Sequence, residues 1–488
     1  MADQAAGSQP VIDGGNAAWS RVGALWLCCA GTLGLQYAFG ALYVDLLAEF
    51  GESRATTAAV GVRSLPPSPL LPRSLSAGSA SAPLLLCSAL RLKSTSDYCS
   101  SLSHALKLAT VSGAQGICVG VMDFFAIGAG LVMARIGERA CCLLGATLTA
   151  AGLLGSSFGH SLVALYITYG LMVGVGMSLA LFSGVVTVNK WFTTKRGFAS
   201  GLSNTGASAG PLLFGALWST MREAFGWRGT LQLFAACDFV ILFVAAMFFT
   251  PPAAAEQEEE EDKLPQGTAD AAAVGAAAVV VSGETATYAA VWKLREIRRL
   301  CLAIALMGLG VWIPAVHLIQ FARDSGFSEL QAERLLMLLA LGSATIRVPT
   351  TYFADIVGRP RIFTAALLAY AAADVFIVLL SDHYVAFGIY AVLVGGLVGT
   401  ILSLMPTLPA DVVEEHQIIQ GTTIVCSFLG TGTCVGPMIA GWFFDITNSY
   451  TSAFLFAAGC LVAAAAALNV PCAPCGGEGS ATGRATAP

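Results

Sequence analysis

Two short polar stretches, ARIGER at residues 134–139 and DIVGRPR at residues 355–361, interrupt long apolar runs at corresponding places in the chain. Their glycines, Gly137 and Gly358, are 221 residues apart. Two further pairs share that offset to within one residue: Tyr169 with Tyr390, and Leu233–Ala236 with Leu455–Ala458. A nearly constant offset over such a distance indicates that the chain is built from two copies of one unit.

The apolar runs around these stretches are long enough to cross a membrane. They cover residues 22–44, 108–134, 140–189, 197–221, 229–257, 300–320, 335–354, 362–381, 383–410, 416–444 and 446–477. A membrane-spanning helix needs about 20 apolar residues, so the run 140–189 holds two spans, with a turn at Gly159-His160-Ser161. The sequence therefore predicts an all-α membrane protein with twelve transmembrane helices in two six-helix pseudo-repeats.

The composition excludes several other classes of protein. Hydrophobic residues make up 56% of the chain and charged residues only 11%, whereas soluble domains carry about 25% charged residues. The net charge of −5, with no basic tract, argues against a nucleic-acid partner. Most cysteines lie in apolar runs, and Cys472 and Cys475 form a lone pair without a histidine cluster, so we expect neither a metal nor a cofactor. The spans contain no catalytic constellation, so we do not expect an enzyme.

Basic residues predict the orientation. With the N-terminus inside, the inner segments hold fourteen Lys and Arg and the outer segments ten, five of which lie in residues 62–107. This bias follows the positive-inside rule and predicts that both termini are cytoplasmic. The predicted units are a tail (1–18), a first bundle (19–250) with an irregular insertion or gene-model artefact at 62–107, a cytoplasmic linker (251–297), a second bundle (298–471) and a tail (472–488).

The polar stretches resemble known family motifs. DIVGRPR resembles the inner-loop motif of the major facilitator superfamily, while Ala134 of ARIGER stands where that motif usually has Asp. KWFTTKRGFASG at 190–201 resembles a signature of the monocarboxylate porter family and its oxalate/formate antiporter relatives, and Gly226-Trp227-Arg228-Gly229 is typical of them. Asp13-Gly14-Gly15 resembles the opening signature, although Asn16 replaces the usual aromatic residue.

The resemblance implies two helical bundles facing a central cavity and transport by alternating access. The residues expected to lock the inner gate are Arg135, Gly137, Arg139, Asp355, Gly358 and Arg359. The expected function is secondary transport of a small monocarboxylate or related organic anion, coupled to protons, in the plasma membrane rather than an organelle. Alternatives are an oxalate/formate-type exchanger coupled to a counter-anion, or a non-transporting sensor on the same fold. The need for an accessory subunit stays open.

Two departures from proton-coupled lactate carriers bear on the cargo. The lysine that those carriers often have in the first span would fall near Ala41, and the Asp that precedes their arginine in the eighth span is Ser343 here. The arginine itself is matched by Arg347. These differences weaken the expectation of lactate–proton symport and leave organic-anion transport in place.

Arg347 is the strongest candidate for binding substrate. A charged residue at the centre of a span costs at least ~2.5–3.5 kcal/mol, so its presence indicates a function or a partner. Its planar guanidinium suits a carboxylate, and the alternative is a structural ion pair with Asp123 or Asp374.

The other candidates carry less weight. His317 either binds substrate, relays a proton or simply packs, and Tyr37 and Asn204 are possible substrate contacts. Asp123 is the proton-coupling candidate, because a buried carboxyl can take up a proton. We interpret Asp238 and Asp374 as structural.

Overall fold

The computed structural model describes residues 15–36, 42, 117–159, 161–250, 287–447 and 449–469, and nearly all of these residues are helical. The helices are α1 (15–36), α2 (Ala126–Ser157), α3 (Gly174–Trp191), α4 (Arg196–Asn204), α5 (Gly206–Met247), α6 (Arg295–Val311), α7 (Ile313–Asp324), α8 (Glu329–Val357), α9 (Arg359–Leu379), α10 (Tyr384–Leu404), α11 (Ile418–Thr447) and α12 (Tyr450–Asn469). Tyr37 and the insertion at 62–107 lie outside the described residues.

Sharp turns at glycine divide the long helices into separate spans. Gly137 has φ 78° within α2, Gly226 has φ 67° within α5, and Gly358 has φ 114° between α8 and α9. Only glycine adopts such angles without strain, because it has no Cβ. Gly137 and Gly358 are the glycines of the two polar stretches, so the repeated sequence makes a repeated turn.

Three helices are interrupted inside predicted spans. A π-helix, Tyr166–Val173, precedes α3, Thr205 separates α4 from α5, and Trp312 separates α6 from α7. The sequence predicts a bend at Pro211, but the interruption lies at Thr205 and the proline continues within α5. The ring of a proline clashes with the carbonyl four residues earlier, which is that of Ala207, two residues after the interruption.

The outer surface is apolar, as a bilayer requires. Among the described residues, seven helical segments are long and apolar enough to span a membrane. Large hydrophobic side chains point outward from them, with Leu379 75% and Val385 71% exposed. Such a surface would be unstable in water, so the all-α membrane prediction is confirmed for these helices.

The two halves of the chain meet along a few helices. From the first half, α4 packs against α8 and α10, while α2 packs against α11. Of the residues predicted for the gate and for substrate binding, Arg347, Asn204 and Asp355 lie along the contact of α4 with α8, and Arg359 of α9 pairs with Asp355.

Candidate functional site

Helices α4 and α8 approach each other closely because α4 carries glycines on the contacting face. A methyl group added to Gly201 would overlap the hydroxyl and Cβ of Thr351 on α8. One turn earlier, a methyl group on Gly197 would lie 2.7 Å from Asp355 Oδ1 and 3.1 Å from the Thr351 carbonyl oxygen. Small residues four positions apart let two helix backbones pack tightly, here across the two halves of the chain.

Asp355 caps the first turn of α4. Its Oδ1 accepts a hydrogen bond of 2.9 Å from the Gly197 N–H, and its Oδ2 accepts one of 2.7 Å from the Phe198 N–H. The first N–H groups of a helix have no intrahelical acceptor and carry partial positive charge, so a carboxylate stabilises them. An aspartate of the second half of the chain thus caps the N-terminus of a helix that belongs to the first half.

Arg359 joins Asp355 to a second acid. Its Nε donates to Asp355 Oδ1 at 2.7 Å, its Nη1 pairs with Asp411 Oδ1, and its Nη2 donates to the Thr193 carbonyl at 2.6 Å. Asp411 also pairs with Arg196 Nη1 at 2.8 Å. Two arginines from different halves therefore share one carboxylate, and removing any member would leave a largely buried charge unbalanced.

Two neutral hydrogen bonds extend this closure. Asn189 Nδ2 donates to the Pro406 carbonyl at 2.8 Å, and Ser200 Oγ donates to the Ser403 carbonyl at 2.6 Å. Both cross from the first half to the second. We call the set formed by these two bonds, the Asp355 cap and the Asp411 cluster the closed end.

The first copy of the motif makes different contacts. Arg135 and Arg139 are exposed, and Arg139 Nη2 lies 3.2 Å from the Met247 sulfur in its own half. Glu138 pairs with Lys190 at 2.6 Å, again within the first half. Ala134 offers no carboxylate where the second copy has Asp355, which accounts for the asymmetry.

Arg347 lies two turns before Asp355 on α8 and contacts the other end of α4. Its Nη1 donates to the Asn204 carbonyl across the halves, and its Nη2 donates to Ser343 Oγ at 2.6 Å. The residue is 5% exposed. Gly399 of α10 makes room for it, since a methyl group there would lie 2.7 Å from Arg347 Nε.

Asn204 is the predicted site residue that the structure brings to Arg347. Its Nδ2 donates to the Ser200 carbonyl at 3.0 Å, and its Oδ1 lies 3.8 Å from Cys29 Sγ of α1. The side chain is partly buried, and it is the backbone carbonyl of Asn204 that contacts the guanidinium.

The remaining candidates lie elsewhere. The His317 ring is 5.4 Å from the Tyr450 ring of α12, within the second half, and the described contacts do not bring it to Arg347. Asp123 is buried where the first half meets α11, and a methyl group on Gly430 would lie 2.8 Å from its Cβ. Asp374 accepts a hydrogen bond of 2.7 Å from the Tyr390 hydroxyl.

Sequence reasoning missed Asp411. It follows an apolar run, where a charge usually marks a solvated loop. The available signal was its position just after the tenth span, at the level of the polar stretches on the same side of the membrane.

Comparison with known proteins gives a consistent result. The family model described as Major Facilitator Superfamily matches residues 25–299 and 300–474. Among curated proteins, the chain is 27% identical over 371 residues to monocarboxylate transporter 13 of Bos taurus, covering 74% of this chain and 80% of that protein. It is 26% identical over 356 residues to monocarboxylate transporter 6 of Homo sapiens, covering 69% and 67%.

Solved structures show the same fold at lower identity. The human organic anion transporter MFSD10 (TETRAN) superposes with a TM-score of 0.67 at 16% identity, covering 93% of this chain and 99% of that one. The proton:xylose symporter XylE superposes with a TM-score of 0.60 at 12% identity, covering 92% and 94%. These likenesses and the repeated turns agree on two six-helix units.

Proposed function

The chain belongs to the major facilitator superfamily and is a secondary transporter rather than an enzyme, and from this premise we propose that its cargo is a small monocarboxylate or related organic anion. The contact of Arg347 with Asn204 between the two halves is the observation that carries the proposal. The similarity to monocarboxylate transporters supports the same class of cargo.

The chemistry of Arg347 favours a carboxylate ligand. Two of its acceptors, the Asn204 carbonyl and the Ser343 hydroxyl, are neutral oxygen atoms. Hydrogen bonds between a guanidinium and a carboxylate are roughly twice as strong as neutral ones and can form in parallel pairs. An incoming carboxylate can therefore compete for the guanidinium, and we propose that the Asn204 side-chain amide contacts the rest of the anion.

The position of Arg347 also links binding to the closed end. Asp355 holds the first turn of α4 and Arg347 holds its last residue. At 1.5 Å per residue, the seven residues from Gly197 to Asn204 span about 10 Å and the eight from Arg347 to Asp355 span about 12 Å. The matched lengths allow both contacts at once, so an anion bound to Arg347 would release one of the attachments between α4 and α8 that oppose opening.

Orientation and coupling complete the proposal. We place the closed end and both termini in the cytoplasm, in line with the positive-inside bias, and we place the protein in the plasma membrane. We propose proton coupling through Asp123. In support, its carboxyl group is buried beside α11, where the first half of the chain meets the second. His317 and Tyr37 remain proposed substrate contacts.

The test is uptake by purified protein in proteoliposomes. A panel of labelled formate, lactate, pyruvate and oxalate is offered with and without a pH gradient. Arg347→Lys keeps the charge but loses the planar fork, so we expect uptake to fall by about tenfold to a hundredfold, the equivalent of about one charged hydrogen bond.

Arg323→Lys, on an exposed arginine at the end of α7, is the matched control and keeps full uptake. Unchanged uptake by a well-folded Arg347→Lys protein would remove Arg347 from binding. Exchange that ignores the pH gradient would favour the oxalate/formate type, and absence of uptake by the unmodified protein would favour a sensor.

A further inference from the structure

Asp238 is a buried acid that the proposed transport cycle does not use. It lies on the second arm of α5, residues 227–247, and is 0% exposed. It faces Gly31 of α1, where an added methyl group would lie 2.5 Å from Asp238 Oδ1. Within the part of the chain that the structure describes, neither carboxyl oxygen receives a hydrogen bond.

The groups around Asp238 offer no positive charge in the described residues. On α1 the titratable neighbour is Cys28, one turn before Gly31, and behind it Cys142 of α2 donates its thiol to the Leu242 carbonyl. On α5 itself the adjacent contact to Gly31 is the apolar Ile241. A carboxylate without donors or cations is strongly disfavoured in such surroundings, whereas a carboxylic acid is tolerated.

We propose that Asp238 is a proton-binding site, loaded in this closed conformation, whose release of the proton requires α1 to move away from α5. The proton would pass from the carboxyl oxygen to water entering the widened contact, and the carboxylate left behind would keep that contact hydrated. The ligand is a proton, and the site is separate from Asp123.

Helix α1 connects this site to the anion site. It lies between the two arms of α5, because its other face meets the first arm, where a methyl group on Gly210 would overlap the Ala30 carbonyl. On that side Cys29 contacts Asn204, and Trp26 Nε1 donates to Thr205 Oγ1 at 3.0 Å. A shift of α1 at Asp238 therefore reaches the residue that Arg347 holds.

This inference rests on the proposed function. Two transport assays distinguish a failure of the Asp238 proposal from a failure of the proposed anion transport. Counterflow measures exchange of labelled for unlabelled anion without net proton movement, and the second assay measures accumulation driven by a pH gradient. Asp238→Asn mimics a permanently loaded site. We expect counterflow within about twofold of the unmodified protein and complete loss of gradient-driven accumulation.

Asp374→Asn is the matched control, since it removes a buried acid that already has a donor in Tyr390, and it should keep both activities. Asp238→Ser, smaller and also neutral, should repeat the uncoupling if Asp238→Asn folds poorly. Gradient-driven accumulation by the Asp238 variants, or loss of both modes in well-folded protein, would overturn the proposal.

An infrared measurement tests the site without any transport. A protonated carboxyl has a C=O stretching band that a carboxylate lacks. We expect such a band at neutral pH in the unmodified protein. The part of the band that Asp238→Asn removes should differ from any part that Asp374→Asn removes. Lack of any band specific to Asp238 would overturn the proposal even if anion transport is established, and its presence would support the site even if the cargo proves different.

Discussion

Replacing Asp355 by asparagine tests the closed end at its most connected residue. The carboxylate is 8% exposed and accepts from the Gly197 and Phe198 amides at 2.9 and 2.7 Å, and from Arg359 Nε at 2.7 Å. Asparagine has the same shape but only one acceptor oxygen, and its NH2 group would face an N–H donor. Arg359 keeps its contacts with Asp411 and the Thr193 carbonyl but loses its ion pair with Asp355, so the change weakens the cap of α4 and also leaves the buried cluster with one excess positive charge.

The size of the effect follows from these bonds. A hydrogen bond to a charged group contributes about 1.5–3 kcal/mol, and a neutral one about 0.5–1.5 kcal/mol. From the cap of α4 alone, the Asp355→Asn variant would lose one amide bond outright and exchange another for a neutral bond, a loss of about 2–4 kcal/mol. At about 1.4 kcal/mol per factor of ten, the closed end should open about 30-fold to 700-fold more often.

Hydrogen–deuterium exchange of the backbone amides measures this opening directly, because protection reports the free energy of exposing each N–H. We expect faster exchange at residues 196–204 and also at residues 403–411, which lie on the facing half. Glu296→Gln, an exposed acid on α6, is the control. Faster exchange confined to Gly197 and Phe198 would indicate local fraying of α4, and unchanged exchange would refute the role of Asp355 in closure.

Two glycine substitutions test the contacts on either side of Arg347. The methyl group of Gly201→Ala would overlap Thr351, so we expect faster amide exchange at the closed end, even though alanine favours the helix by about 0.5–1 kcal/mol. The control is Gly459→Ala, whose methyl group would have no atom within 4 Å and should leave the exchange unchanged. Gly399→Ala would press on Arg347 Nε, so the KM for the anion should rise several-fold with a smaller change in maximal rate. Gly388→Ala on the same helix, where the nearest atom is 3.6 Å away, should leave KM unchanged.

The sequence predicts most of the architecture because the bilayer constrains it. Long apolar runs must form helices of about the thickness of the bilayer, and the turns at Gly137, Gly226 and Gly358 use a backbone that glycine alone adopts freely. The positions of Gly137 and Gly358 in the sequence therefore indicate both the sharp turns and the repeated unit. The π-helix before α3 and the break at Thr205 depend on packing between helices, and neither has a local signature as strong as a proline.

The site is only partly readable from the sequence. Arg347 stands out because charge within a span is costly, and Asn204 was a weaker candidate by its position alone. Their contact joins residues 143 positions apart and depends on how the two halves dock. The role of Asp411 could not be predicted for the same reason. An acid at the end of an apolar run can be recognised as an ion-pair partner only once the fold places Arg196 and Arg359 beside it.

Under the proposed function, the attachment of α4 at both ends would make opening without cargo rare. Opening the closed end must break the cap at Asp355 and the bond from Arg347 to Asn204 together, since both belong to the contact of α4 with α8. Under the proposed function, a bound carboxylate would take over the guanidinium and remove the second cost, about 1.5–3 kcal/mol. Opening with cargo would then be about 10-fold to 150-fold more frequent than opening without it, so movement of the halves would follow binding without any contact between the cargo and the cap at Asp355.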